Sequence, residues 1–501
     1  MFKKDLIANY LGQAWTALLM IGMVPFYIKY LGIESYGLIG VFGVLQIWFS
    51  LLDMGMTPTL NREMAILQAN PNNLKDAINL LRSFEYIFLG ISFFVFIIIF
   101  LSSDWISKKW LNSNGLSIKD VSQSLVLMGG IICLRFYESI YKSSLIGLKK
   151  QVLFNFLNFF LVNIRWIGAA GVLIWISPTL KAFFLWQIFV SVITFFTLLK
   201  ATYISLPSSL KEGIFSTQIL KKTGKFTSAM SILSVLTIIL TQVDKILLSK
   251  LLSLTDYGYY TMSALIASSL SLLAGPIITT IYPVLCELYA KNDLEHLRDR
   301  FHKFAQLITI SMGSLAFLLI FFCDKILLIW SQDIVIVNHC LILVRLLSIG
   351  NLLNGLMWIP YQTQLAYGQT RLSIKINCIS VIVIIPAIFI IAPIYGAIGV
   401  AYTWILLNTG YILISAQFIF NNILHEEKTA WYLNDLCIPL ITSILVIGTS
   451  YLLEPEGQNQ LFQFFWILIT FIISLTICSL SSSKIRPTLL YLVKTYINKK
   501  Q

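Results

Sequence analysis

Windows of about twenty predominantly apolar residues recur from one end of this chain to the other, each long enough to cross a hydrocarbon slab as a helix. They fall near residues 7–28, 36–56, 80–101, 121–146, 152–176, 181–203, 226–249, 257–284, 304–323, 338–363, 373–392, 397–420, 433–453 and 460–480. Backbone immersed in lipid finds no water, so a spanning segment is a helix or a strand of a closed barrel. Continuous apolar runs of this length select the helix; barrel strands are about half as long and alternate. The spacing predicts an all-α polytopic membrane protein with fourteen transmembrane helices. Only 12% of the 501 residues are charged, about half of what a soluble domain carries, and the mean hydropathy is +0.81. The first apolar stretch is interrupted by Asn9, Gln13 and Thr16, and no A-x-A site follows it. It reads as a retained first helix rather than a cleaved signal.

The net charge of +13 raises the question of nucleic acid, but the Lys and Arg form no single patch. They follow the membrane instead. The N-terminus, the even-numbered loops and the tail carry 23 of them, among them Lys3, Lys4, Arg62, Lys149, Lys150 and Lys428, against 7 on the other side. The positive-inside rule then places both termini in the cytoplasm. Six basic residues remain within the spans: Arg82, Arg135, Lys142, Arg165, Lys245 and Arg345. Residues 286–303 read as a cytoplasmic interfacial helix. The tail from Lys484 presents Leu489, Leu490, Val493, Tyr496 and Ile497 beside basic neighbours, a pattern that lies on an anionic leaflet. The seven cysteines lie in or beside apolar runs and read as small buried hydrophobes.

An internal repeat organises the chain. YIKYLGIESYG at 27–37 and LSKLLSLTDYG at 248–258 share Lys, Leu, Tyr and Gly at an offset of 221. The same offset carries Gly147 of SLIGLKK onto Gly368 of LAYGQTR. Six spans per copy preserve orientation, so the copies are parallel repeats of six helices, residues 1–215 and 216–430. Two extra helices over 431–483 and a basic tail over 484–501 follow. Parallel repeats hold substrate at their interface and alternate access by rocking, which points to a transporter.

The opening N-x-x-x-x-x-W (Asn9, Trp15), YIKYLGIESYGLIG, LLDMGMTPTLNREMA and SLIGLKKQVLFNFLN resemble the polysaccharide-lipid flippases, the Wzx-type O-antigen and capsule translocases of the MOP superfamily. The resemblance covers spans 1–12. It implies a MATE-like fold in a bacterial inner membrane. It also implies an undecaprenyl-diphosphate-linked oligosaccharide as cargo, H+ or Na+ as a coupling ion, membrane lipids as partners and an association with polysaccharide polymerase machinery. The superfamily also contains ion-coupled drug exporters, which stand as the alternative.

Ionisable groups inside a membrane cost several kcal/mol each unless paired or facing water, roughly 2.5–3.5 on insertion scales. In span 4, Arg135, Glu138 and Lys142 lie at roughly 0°, 300° and 340° around the helix and share one face. Either this stripe only packs helices, or it lines a cationic cavity in which Glu138 holds Arg135 in place. Arg suits a diphosphate because its planar fork donates parallel bonds to anionic oxygens. In span 5, Gln151, Asn155, Asn158 and Arg165 cluster within roughly 80° of one another. Asn155 and Asn158 there fit sugar hydroxyls or, equally, helix–helix hydrogen bonds. Arg345 of span 10 joins the substrate-binding candidates. Ser234, Thr237, Thr241 and Asp244 share a face of span 7 beside Lys245. Asp244, Glu138 and Glu85 are the candidates for ion coupling, and Asp53 is a further acid in the spans.

Other chemistries find little support. The basic turn ILKKTGKFT lacks the first glycine and the Ser/Thr of a phosphate-binding loop, which argues against an ATP-driven pump. His296, His302, His339 and His425 have no metal-ligand spacing, and no cofactor motif occurs. Six basic residues against four acids in the spans favour an anionic cargo over cationic drugs, and the short external turn YLGIESYG, with Glu34 as its one acid, argues against a membrane glycosyltransferase or polymerase.

Overall fold

The computed structural model describes residues 2–69, 74–206, 213–455, 457, 459–487 and 489–491. Among these, the regular structure is helical, with one isolated bridge between Asn112 and Ser253. Among the described residues, eleven helices are long and apolar enough to cross a membrane, or twelve if the bent pair Leu254–Gly275 and Thr280–Ala290 counts as one span. The expected fourteen is not reached by that measure. Two features account for the difference. The segment Leu372–Asn422 passes as one stretch although two spans were expected over it. Gly396 interrupts it at φ 56°, ψ −143°, a conformation open to glycine and close to the expected boundary. The expected seventh span lies in Thr217–Leu251, a 35-residue helix that falls outside the eleven.

The chain divides into two compact units, Met1–Gly258 and Tyr259–Gln501. The first holds α1 (Phe2–Gly22), α2 (Val24–Leu31), α3 (Ile33–Ser50), α4 (Met56–Ala69), α5 (Leu74–Trp105), α6 (Ile118–Gly147), α7 (Gln151–Trp175), α8 (Leu180–Ser205), α9 (Thr217–Leu251) and the start of α10 (Leu254–Ala290). By packing, α9 joins this unit, because it lies against α3, α4 and α5. The proposed repeat boundary at 215 is a matter of sequence register and remains a proposal.

Local chemistry sets the ends of these helices. The expected first span is broken after Gly22, and α2 starts with Pro25 in its first turn, where a missing N–H costs nothing. Asp53 accepts from the backbone N–H (2.9 Å) and hydroxyl (2.8 Å) of Thr57, so this acid caps α4. Ser117 and Asp120 form a capping pair at the start of α6. The unit is built around α6, which packs on α3, α4, α5 and α8, while α7 bridges α1 and α8. Phe88 and Phe136 stack at 4.3 Å in its core, beside Leu60, Met64 and Ile140. Outward-facing Phe93, Leu101 and Trp175 are exposed, as surfaces solvated by lipid tails are.

Between helices in lipid there is little hydrophobic driving force, so close van der Waals approach and small residues matter more. A Cβ on Gly147 would fall 2.5 Å from the carbonyl oxygen of Asn61, so Gly147 lets α6 meet α4. Its repeat partner Gly368 has φ +70° and open space around it. The two matched glycines thus serve different physical needs. At the starts of α3 and α10 the approach is reciprocal. A Cβ on Gly37 would lie 2.0 Å from Leu254 O, and one on Gly258 would lie 2.6 Å from Ile33 O. Residues 33 and 254, like 37 and 258, are related by the repeat offset. The loop after α5 seals the same end: Glu34 accepts from the backbone N–H groups of Asn114 (2.7 Å) and Gly115 (3.0 Å), and Trp110 donates to Ser249 Oγ (3.1 Å).

The second unit continues α10 and adds α11 (Leu294–Phe321), α12 (Cys323–Ser331), α13 (Ile334–Leu356), α14 (Trp358–Ala366), α15 (Thr370–Gly410), α16 (Ala416–Asn422), α17 (Lys428–Ala430), α18 (Ile438–Leu452) and α19 (Gln460–Ser481). Here α11 is central and packs on α13, α18 and α19. The two C-terminal helices dock through Ser314, Ser443 and Ser474, whose hydroxyls lie 2.9–3.5 Å apart. No interfacial helix covers 286–303. Instead α10 runs to Ala290, Asn292 turns the chain at φ +54°, and Asp293 caps α11 through His296 N–H at 3.2 Å. The asparagine tolerates the left-handed turn, and the following Asp is an N-cap residue. All seven cysteines are free; Cys323, Cys340 and Cys478 are buried as expected, whereas Cys378 and Cys437 face outward. In the tail, Val493, Tyr496 and Ile497 lie outside the described residues.

Candidate functional site

Five of the sequence-derived candidates converge in the first unit. A cavity of about 280 Å³ is lined by Arg135, Glu138 and Lys142 of α6 and by Asn158 and Arg165 of α7. Gln46 of α3, Phe154 of α7 and Thr194 of α8 complete its polar and aromatic wall. The helical periodicity that put the three charges of α6 on one face also aims them into one space. Three cations and one carboxylate line it, so the cavity is cationic.

Each cation is held differently. Arg135 donates from Nη1 to Gln46 Oε1 (2.5 Å) and from Nη2 to Gln187 Oε1 of α8 (3.2 Å), and its fork lies 5.2 Å from the Phe42 ring centre. Its Nε is buried without a partner. Arg165 donates to Thr194 Oγ1 at 3.3 Å. The Lys142 ammonium sits 5.5 Å from the centre of the Phe154 ring. Among the described residues it makes no ion pair with Glu138, the acid that shares the cavity.

Glu138 does not hold Arg135. No ion pair within 4 Å joins it to either arginine among the described residues, and its Oε1 is buried without a hydrogen-bond partner. It acts on Arg165 and Arg135 through space. The reason is reach: from one face of α6, the long Arg135 side chain extends to amides on α3 and α8, while the shorter carboxylate stays behind. Neutral amides hold the fork without cancelling its charge, which leaves the cavity cationic.

The remaining candidates go elsewhere. Asn155 packs at the α1–α7 contact, where its Oδ1 would lie 3.1 Å from a Cβ on Gly12. Arg345 belongs to the second unit and donates from Nε to Ile320 O (2.9 Å), near the C-terminal end of α11. A cation there suits the negative end of the helix dipole. Glu85 is engaged on both oxygens: Arg82 donates to Oε2 (2.8 Å), and the Tyr141 and Tyr203 hydroxyls donate to Oε1 (3.0 and 2.9 Å). It ties α5 to α6 and α8. Asp244 pairs with Lys245 at 3.3 Å; on the same helix Thr241 is half-buried and Thr237 exposed, and the Ser234 side chain lies outside the described residues. Gln46, Gln187 and Thr194 are not among the candidates that charge alone marks. A single amide inside an apolar run such as FFLWQIFVS is itself a signal.

With this geometry in hand, comparison with known proteins is informative. Residues 2–289 match the model of a family described as polysaccharide biosynthesis protein. A Shigella flexneri protein named "Putative O-antigen transporter" is 22% identical over 408 residues, covering 80% of this chain and 93% of its own. The lipopolysaccharide biosynthesis protein WzxC of Escherichia coli (strain K12) is 25% identical over 248 residues, 48% of this chain and 47% of that one. Among solved structures, the lipid II flippase MurJ in an inward closed conformation superposes with a TM-score of 0.71 at 16% identity, over 95% of this chain and 98% of that chain. An inward-facing multidrug resistance MATE family transporter of the MOP superfamily follows at 0.68 and 12% identity, over 81% and 96%. At such identities the likeness is one of fold, and the fold is MATE-like.

Proposed function

The chain belongs to the polysaccharide biosynthesis protein family, and on that premise we propose that it is a flippase of the bacterial cytoplasmic membrane. Its cargo in this reading is an undecaprenyl-diphosphate-linked oligosaccharide, an O-antigen, capsule or related repeat unit, moved from the inner to the outer leaflet. One observation carries the reading: Arg135, Arg165 and Lys142 share a cavity with a single carboxylate. Transferring an isolated anion into a low-dielectric slab costs tens of kcal/mol by Born solvation. A hydrated cationic cavity replaces lost hydration with charge-assisted hydrogen bonds to the diphosphate. The isoprenoid tail stays in the bilayer, and Asn158 faces the sugars. The partial compensation by Glu138 keeps binding weak enough for release. The cavity opens to one leaflet at a time, with H+ or Na+ movement supplying the drive.

Reconstitution tests this. Proteoliposomes carrying a fluorescent undecaprenyl-diphosphate-linked sugar should show cargo crossing leaflets at least about tenfold faster than protein-free vesicles, a difference of roughly 1.4 kcal/mol in barrier. Rates equal to the protein-free control, or transport of cationic dyes instead, would reject the reading in favour of an exporter. The orientation is tested separately. A reporter fused after Gln501 should be active only as a cytoplasmic reporter, given the 23-to-7 split of basic residues. Strong activity on the outer side would invert the topology.

A further inference from the structure

The second unit contains a polar cavity of about 630 Å³ for which the transport of cargo provides no role. At its floor lies His302 of α11, buried between two acids. Its Nδ1 is 2.5 Å from Asp435 Oδ2, and its Nε2 is 2.9 Å from Glu427 Oε2. Asp435 is fully buried, and its other oxygen accepts from Gln306 Nε2 at 2.9 Å. Gln306 in turn accepts from the Lys484 backbone N–H at 2.9 Å. The charged groups around the imidazole come from three places. Glu427 stands at the start of α17, and Asp435 lies in the π-helical stretch Trp431–Cys437 that runs into α18. Arg298, 3.4 Å from Glu427 Oε1, and Asp299 belong to α11. Lys484, after α19, pairs with Asp299 at 2.7 Å. Glu295 and His296 line the cavity further out.

Proton counting defines what this cluster does. An ionised carboxylate only accepts hydrogen bonds, and a neutral imidazole donates through one nitrogen only. Both ring nitrogens face carboxylate oxygens at bonding distance, so each contact needs its own proton. Removing one leaves a lone pair against an oxygen at 2.5 or 2.9 Å, which is repulsive. The tie between α11 and the 427–437 segment therefore exists in two states, set by one proton. Because the imidazole occupies the space between the acids, the ligand that fits there is a proton and not a metal ion. The cavity supplies water to carry it.

We propose that His302, Asp435 and Glu427 form a proton-binding site that drives the transport cycle; this rests on the flippase reading. In the release step the N–H between imidazole and carboxylate breaks, its proton passes to water in the cavity, and α11 separates from the 427–437 segment. Rebinding restores the tie. His and acid clusters are the usual material of proton relays in transporters.

Histidine-selective 15N NMR of the whole protein in nanodiscs tests the site without cargo. The chain has four histidines. The signals of His302 are identified by their loss in His302→Gln. Both ring nitrogens should be protonated at neutral pH. Asp435→Asn and Glu427→Gln, which each remove an anionic acceptor, should shift proton release downward by about one pH unit or more. A singly protonated His302 at pH 6, or an unshifted release, overturns the site. In proteoliposomes with an imposed pH gradient, Glu427→Gln should slow flipping at least about tenfold and abolish its dependence on the gradient. Glu427 is the partly exposed partner, so this variant should fold even if His302→Gln does not. Wild-type gradient dependence in Glu427→Gln overturns the coupling. Arg135→Ala with Arg165→Ala should leave the NMR titration unchanged. An unshifted titration defeats the present inference whatever the flipping assay reads, and absence of wild-type flipping defeats the flippase reading.

Discussion

Arg135→Ala combined with Arg165→Ala is expected to reduce surface polysaccharide on the order of a hundredfold or more while the protein inserts in normal amounts. A hydrogen bond to a charged group contributes about 1.5–3 kcal/mol. Losing two such interactions with the diphosphate removes at least about 3 kcal/mol, and every 1.4 kcal/mol is about tenfold. The structure also says how the test can mislead. Gln46 and Gln187 both accept from Arg135 and would each lose their donor. Leaving such groups unsatisfied costs about 1–3 kcal/mol each, so membrane-inserted protein must be quantified alongside export. Arg135→Lys separates charge from shape: it keeps a cation in the cavity but loses the fork, and it should rescue only partly. Glu138→Gln should be milder than either arginine variant, since Glu138 makes no ion pair or hydrogen bond to Arg135. Wild-type export by the double variant would show that the charged face only packs helices.

The second large effect is expected at Gly37. Gly37→Ala would place a Cβ 2.0 Å from Leu254 O, and the obstacle is backbone, which cannot swing away as a side chain would. The α3–α10 contact must open. Overpacking of this kind costs about 1–3 kcal/mol, and more where backbone must move. Gly43, one and a half turns further along α3, provides the control, because nothing lies within 4 Å of a Cβ there. In an open helical position Ala is about 1 kcal/mol better than Gly. The two substitutions should therefore move thermal unfolding of the purified protein in opposite directions: down for Gly37→Ala, level or up for Gly43→Ala. The same direction for both would mean that the close approach is not a determinant of stability. Gly258→Ala, the reciprocal site, should behave like Gly37→Ala.

Much of this was legible in the amino-acid order because lipid is a simple solvent. A backbone that cannot bond to lipid must bond to itself, so apolar length alone dictates helices and their approximate number. The period of 3.6 residues then places Arg135, Glu138 and Lys142 on one face of α6 and Asn158 and Arg165 on one face of α7, whatever surrounds them. Where those faces point is another matter. Asn155 shares a helical face with Asn158 but meets α1, and Arg345 reaches a carbonyl at the end of α11. Side chains three residues apart differ in direction by about 60°, enough to choose a different neighbour.

The partners of Arg135 and His302 are a property of tertiary structure alone. Glu138 is the nearest acid to Arg135 in the chain, yet the arginine is held by Gln46 and Gln187, 89 and 52 residues away. The spacing of the histidines marks no metal site. In the fold, His302 meets Asp435 across 133 residues and Glu427 across 125. Sequence determined which segments are helices and which faces are polar, because these follow from local hydrogen bonding and local period. Only the packed chain decided which polar faces close on one another, because that depends on steric fit between helices distant in sequence, set in places by the absence of a single Cβ.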